Sequence, residues 1–276
     1  MSYKLYTAPN CLRCKIVKQF MADQDVGYDA YDFRDDKEIF NAFYRANRAA
    51  IYRNPEGVEF PLLHNRDADV IRQGSGEIIA YLLSGRALES CVQRSDLLHG
   101  WISGLHVSCC PEGLEDTFVR LVEFLVRGGL QAQLETDGRN PKLLGRLLEE
   151  KLAARVVLSL PGPAEVYPDA VGEALLEEDL AKSLLLVRNY PEHTVRLLLR
   201  PLTPQNGQPY YITPAQGAEA GKMLSAAGAD MQMSFSIELS TQTVDGLKPL
   251  LADGLLPYRS GLRNYLVKAE IAKLAS

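Results

Sequence analysis

The chain has 276 residues, 46% of them hydrophobic, which is enough for two domains with cores of their own. Its formal net charge is −5 and its basic residues are scattered, so it carries no electrostatic footprint for nucleic acid. No apolar run approaches the ~20 residues of a membrane span, and five cysteines, an odd number, fit a reducing cytoplasm better than a stapled secreted scaffold. The N-terminus has no signal-type apolar region and goes straight into an expected strand, so a cytoplasmic protein without nucleic-acid or membrane partners is expected.

Lys4-Leu5-Tyr6-Thr7 reads as a strand and Ala8-Pro9-Asn10 as a turn. Cys11-Leu12-Arg13-Cys14 then opens a helix whose buried stripe is Ile16, Val17, Phe20 and Met21. A thiol at the first turn of a helix meets unpaired backbone N–H groups and the positive end of the helix dipole, which favours its thiolate. Arg13 and Lys15 add cationic charge, and the second cysteine lies within reach to resolve a mixed disulfide. Two other readings stand beside a redox pair: half of a zinc site, and two core cysteines together by chance. Zinc needs a further Cys or Cys/His pair at ligand spacing, whereas Cys109-Cys110 is adjacent and no His pair exists, so no metal is expected.

Residues 28–33 read as a second strand, and Ile39, Phe40, Phe43 and Tyr44 give helical spacing up to Ala50. The connection from Arg45 to Glu59, with Arg45, Arg48 and Arg53, reads as a solvated loop or as a partner surface. Phe60-Pro61-Leu62-Leu63 is a strand begun by proline, followed by His64, expected to face solvent, and Gly74-Ser75-Gly76-Glu77 opens a helix running through Leu83.

On these residues the first part of the chain, about 1–86, resembles the glutaredoxins and glutaredoxin-like electron donors. Tyr6-Thr7-Ala8-Pro9-Asn10-Cys11-Leu12-Arg13-Cys14-Lys15 is similar to their active-site segment, and the order β-α-β-α-β-β-α fits their thioredoxin-like fold. The resemblance implies a cis bond before Pro61, beside the cysteines, and a peptide or glutathione carboxylate at the Gly74-Ser75-Gly76 turn, where a helix N-terminus suits an anion. It implies that Cys11 attacks, that Cys14 resolves, and that Phe60, Pro61, Arg13, Gly74, Ser75 and Gly76 receive the substrate. The family commonly carries Pro-Tyr or Pro-Phe between its cysteines, where this chain has Leu12-Arg13, so glutathione and a thioredoxin-type donor both stand as the expected reductant.

A linker is expected over 87–100 and a second domain over 101–276. Strands are expected at 102–108, 130–135, 155–160, 194–200 and 233–238, with helices at about 114–127, 142–152, 172–187 and 214–227, and a final basic helical segment over 262–274. Apolar strands alternating with amphipathic helices predict a parallel sheet covered by helices, with Asp137-Gly138 and Pro161-Gly162-Pro163 at its C-terminal rim. Leu105 to Glu112, Gly129 to Gly138 and Val156 to Pro163 resemble successive strands of the radical S-adenosylmethionine enzymes that activate glycyl-radical systems. That resemblance implies an incomplete parallel (β/α) barrel. Its chemistry is not implied, because the CxxxCxxC triplet that holds the family's cluster is missing. Cys109-Cys110-Pro111-Glu112 stands where the family has Gly-Gly-Glu-Pro, and Ser159 and Pro161 stand where its activating enzymes have Asp and Lys.

The expected fold class is therefore α/β, a thioredoxin-like domain followed by an incomplete parallel barrel. The expected function is thiol–disulfide exchange with a client protein disulfide, without a resident cofactor, the barrel docking the client. A binding or assembly module with a redox-regulated CxxC, or a metal or iron–sulfur protein, is the alternative. Cys109 and Cys110 are a candidate second thiol site or two small residues in a tight turn; His106 and Glu112 are expected to pack or face solvent, and Cys91 and Trp101 have no assigned role.

Overall fold

The computed structural model describes residues 2–55, 57–94, 100–204, 207–229, 233–240 and 244–265. The chain packs as two compact units, Met1–Gln133 and Leu134–Ser276.

The first unit opens with β1 (Tyr3–Thr7), α1 (Leu12–Asp23), β2 (Tyr28–Asp32) and α2 (Lys37–Ala46). The short β3 (Arg53–Asn54) and β4 (Gly57–Val58) come next, then β5 (Leu62–Asn65), β6 (Val70–Gln73) and α3 (Ser75–Ser84). The four long strands form one sheet in the order β2-β1-β5-β6. β1 runs parallel to β2 and antiparallel to β5, which is antiparallel to β6. An aromatic core lies on this sheet: Tyr6 stacks on Phe43 at 4.1 Å between ring centroids and on Tyr31 at 5.3 Å. Each such pair contributes about 0.5–1.5 kcal/mol beyond its buried area.

α1 buries Ile16, Val17, Phe20 and Met21, the stripe expected from its periodicity, and Cys14 with them. The helix expected to reach Ala50 ends at Ala46, where the Asn47 side chain donates to the Phe43 carbonyl at 2.8 Å and takes over a helical acceptor. The long connection beyond it is tied down. Gln73, 5% exposed, donates to the carbonyls of Tyr52 and Glu59 at 3.0 and 2.9 Å and accepts the Tyr52 N–H at 2.9 Å. Within it, β3 and β4 form a small antiparallel hairpin closed by Asn54, whose side chain accepts the Gly57 N–H. His64 does not face solvent: its side chain is 16% exposed, beside the Phe43 ring and within reach of Asp69.

The same unit continues into β7 (Trp101–His106), a single 3₁₀ turn (Val107–Cys109) and α4 (Glu115–Arg127). The strand expected to run to Ser108 gives way to that turn at Val107. Within the span expected as a linker, Leu88, Cys91 and Val92 are buried, and Val92 pairs with Leu105 in an antiparallel bridge; residues 95–99 lie outside the described residues. α1 also packs on α4, with Phe20 edge-on to Phe124 at 5.0 Å.

β8 (Gln131–Thr136) carries the chain across the boundary between the units; α5 (Pro141–Glu149), β9 (Arg155–Leu160), α6 (Tyr167–Val171) and α7 (Glu177–Arg188) follow. β10 (His193–Leu199), α8 (Pro214–Ala226), β11 (Phe235–Leu239) and α9 (Leu256–Tyr265) complete the described elements. The helix expected from residue 172 begins at Glu177, because Gly172 at φ 79° ends the short α6 in the left-handed conformation that glycine adopts at helix C-termini. Residues 266–274 of the expected terminal helix lie outside the described residues.

β7 to β11 form a five-stranded parallel sheet in the order β11-β10-β9-β8-β7. One face of the second unit's strands is apolar: Leu134, Val156, Leu158, Leu160, Val195, Leu197 and Leu199 are all buried, and α7 and α8 pack against that side. The other face carries Glu135, Val157, Ser159, Thr194, Arg196, Ser236 and Glu238 at alternate positions.

Candidate functional site

Cys11 is the N-cap of α1, with extended backbone at φ −83° and ψ 109°. Its sulfur accepts the backbone N–H of Cys14 at 3.1 Å, and its carbonyl accepts that of Lys15 at 3.1 Å. One of the N–H groups that every helix start leaves without an internal partner is therefore aimed at sulfur. The positive end of the α1 dipole lies there as well, and both effects favour negative charge on Cys11. Cys11 is half-buried and Cys14 is 2% exposed. The two sulfurs are joined as a disulfide, with Cα atoms 5.2 Å apart. The first cysteine is thus the accessible one, and the second sits behind it in the α1 core.

Pro61 and Phe60 come from the segment entering β5. The Phe60–Pro61 peptide bond is cis, as the resemblance implied, and the Phe60 carbonyl oxygen lies 3.9 Å from the Cys11 sulfur. Phe60 is held by rings, at 5.1 Å from Phe33 and 5.3 Å from Phe40. The Pro61 carbonyl accepts the Gly74 N–H at 2.9 Å, which ties the proline segment to the turn that opens α3.

Gly74 caps α3 at φ 91°, a conformation that favours glycine. Ser75 is 2% exposed and its hydroxyl finds no hydrogen-bond partner among the described residues. Gly76 has a packing reason: a Cβ there would lie 3.0 Å from Ile102 Cδ1 and 3.4 Å from Val92 Cγ1. Arg13 donates to the Trp101 carbonyl at 2.8 Å; burial lowers its pKa, with Glu59 opposing. Cys11, Cys14, Phe60 and Pro61 are brought together at one place, and Gly74 joins them through Pro61.

Two groupings escaped sequence reasoning. Cys91, which carried no role, is buried and donates to the Leu88 carbonyl at 3.5 Å; its neighbour Cys110, together with burial, pushes its pKa up, while Cys109 offers its carbonyl to Ser90 Oγ at 3.3 Å. In the second unit Arg196 gathers three partners from three other strands: Ser159 Oγ at 2.6 Å, Glu238 at 2.6 Å and Glu135 at 3.3 Å. Only their alternate positions on expected strands signalled that they share a face. Asp137 and Gly138, expected at the rim, form a closed βα turn. Arg139, 8% exposed, binds Asp137 through Nη2 at 2.8 Å and also pairs with Glu173. Tyr167 donates to the Asp137 carbonyl and Ser183 to that of Gly138. His106 ends β7 half-buried, its N–H on the Cys91 carbonyl, and Glu112 is exposed.

Among the described residues, no group of three or more His, Cys, Asp or Glu side chains is arranged to hold a metal ion. No described helix is long and apolar enough to cross a membrane. A scan against protein-family models gave no match, and a search of curated proteins gave none.

Proposed function

We propose that the protein is a glutaredoxin-like thiol–disulfide oxidoreductase. In the reduced protein the Cys11 thiolate attacks one sulfur of a client disulfide, forming a mixed disulfide and releasing a client thiolate, which takes a proton from solvent. Cys14, deprotonated in turn, attacks the Cys11 sulfur. The second client thiolate leaves and the Cys11–Cys14 disulfide remains. Glutathione or a thioredoxin-type dithiol then returns two electrons. The observation that carries this reading is the helix-capping geometry, in which the half-buried Cys11 sulfur receives the Cys14 N–H at the start of α1 while Cys14 is fully buried.

The sheet order β2-β1-β5-β6, with β2 parallel to β1, supports a thioredoxin-like arrangement. In that reading the extended backbone at Phe60–Pro61 pairs with the client peptide, and the start of α3, with its unpartnered Ser75 hydroxyl, receives a carboxylate. Five strands in sequential order with helices on one face support the incomplete (β/α) barrel, which we assign to client docking. Radical chemistry is not part of the proposal, since the sequence lacks CxxxCxxC. Substituting Cys14→Ser tests the cycle: a client or glutathione should be retained as a mixed disulfide on Cys11, released by a reducing agent. Failure of Cys14→Ser to retain either, in a folded protein, would remove the proposal.

A further inference from the structure

Within the first unit, one stripe of α1 faces the chain that follows α3. Arg13, Ile16 and Phe20 stand at i, i+3 and i+7, so they share a side of the helix. Each meets a residue between 100 and 128. Arg13 Nη2 donates to the Trp101 carbonyl at 2.8 Å. Ile16 presses on Gly128, where a Cβ would come within 2.7 Å of it, and Phe20 is edge-on to Phe124 at 5.0 Å. The polar contact is the one at the first turn, between the two cysteines. Its other end is fixed: the Gln131 N–H lies on the Gly100 carbonyl at 2.7 Å and the Gln93 N–H on that of Gly104 at 2.9 Å, while Ile102 fits against Gly76 of α3.

We infer that Arg13 is a positioning residue of the thiol site: by holding the Trp101 carbonyl it pins the first turn of α1 to β7 and keeps the Cys14 N–H on the Cys11 sulfur. The inference rests on the exchange cycle proposed above, and gives the chain beyond the glutaredoxin-like part a share in that chemistry. Helix starts fray, because their first N–H groups have no acceptor within the helix. In the oxidised protein the Cys11–Cys14 bond closes this turn covalently. Once that bond is reduced, the Lys15 N–H on the Cys11 carbonyl, the Cys14 N–H on Cys11 Sγ and the Arg13 tie hold it. Of these three, the Arg13 tie alone reaches outside the helix.

With its guanidinium drawn to Trp101, Arg13 acts on the chemistry through α1 rather than by receiving the client, the role that the glutaredoxin resemblance implies. The two roles differ in what they change. A client-binding Arg13 sets KM and leaves the free thiols as they are. A positioning Arg13 sets the reactivity of Cys11 with no client present, because the N–H that favours its thiolate is in place only while the first turn is intact. The tie matters most in the reduced protein, so its loss makes the Cys11–Cys14 disulfide harder to reduce.

The test uses the full chain, reduced, with Arg13→Met beside Arg13→Lys. In Arg13→Met, alkylation of Cys11 by iodoacetamide near pH ~7 should slow about three- to tenfold. Its midpoint should move up toward the ~8.5 of a free thiol, and the alkaline plateau should not change. The Cys14 amide hydrogen should exchange at least about tenfold faster. Arg13→Lys keeps a charged donor and should recover about half or more of both effects. An unshifted midpoint, or unchanged Cys14 amide exchange, in folded Arg13→Met would overturn the inference. So would an Arg13→Lys variant that restores the midpoint but not the amide, since charge alone would then be the cause. If Arg13→Met does not fold, the Cys14 amide of the unsubstituted reduced chain decides: a turn pinned to β7 is protected, and a frayed, unprotected one would overturn the inference. Neither readout needs a client, so the outcome is independent of the exchange cycle that Cys14→Ser tests.

Discussion

The start of α1 and the polar face of the parallel sheet treat their reactive groups in opposite ways. At α1 the charge-prone atom is only half-buried, and backbone geometry aims an N–H at the Cys11 sulfur. In the second unit the charges are consumed internally, with Arg196 set between Glu135 and Glu238 on the sheet and Arg139 between Asp137 and Glu173 at the turn after β8. A half-buried group whose charged form is stabilised by the backbone keeps its chemistry available, whereas one matched by an opposite side chain is committed to structure. The first kind of site should lose activity without stability when altered, and the second stability without activity.

That contrast breaks most sharply at Cys11. Replacing Cys11→Ser should abolish disulfide exchange with a small disulfide substrate while leaving the reduced protein's thermal unfolding nearly unchanged. Retained exchange would place the chemistry elsewhere. In the opposite sense, Arg139→Ala removes a hydrogen-bonded partner of the half-buried Asp137 carboxylate and should destabilise the second unit by about 1.5–3 kcal/mol. Denaturant titration measures that loss, and exchange at Cys11 below the transition should persist.

Smaller changes sharpen the comparison within the first unit. For Gly76→Ala, the added methyl meets the ends of Ile102 and Val92 and should cost about 1 kcal/mol of overpacking. A fall in exchange rate far beyond that stability loss would instead assign Gly76 to the client. Tyr6 supplies a pH signature, because burial, aided by Tyr31, pushes its pKa up to about 12. A folded-state value above the unfolded ~10 means that the stability it contributes is complete below pH ~10 and is lost as pH rises toward ~12. Replacement Tyr6→Phe should flatten that alkaline loss, visible as a smaller difference in unfolding midpoint between about pH 9 and about pH 11.

What was legible in the sequence was local. The helix start at Cys11, the stripe Ile16, Val17, Phe20 and Met21, and the strand–helix alternation after Trp101 all follow from periodicities a few residues long. The helix ends at Ala46 and Gly172 depended on a side-chain cap and a left-handed glycine, signals easily overrun when apolar spacing continues. The tie between Gln73 and the Tyr52 loop, the half-buried place of His64 beside Phe43, the place of Cys91 against the end of β7 and the Arg196 network were not legible. Each joins residues that only sheet register or chain reversal brings together. The candidate site was read in its nucleophile and its proline because both sit at turns with strong local chemistry. Cys91 was left without a role because it has no periodic or motif context of its own.

The most direct measurement is the pH dependence of alkylation of the reduced protein, resolved cysteine by cysteine with peptide mapping. Cys11 should react first, with a midpoint well below the ~8.5 of a free thiol, and Cys14 should lag behind it. Preferential labelling of Cys14, or a Cys11 midpoint at the free value, would contradict the assignment of Cys11 as the nucleophile held by the start of α1.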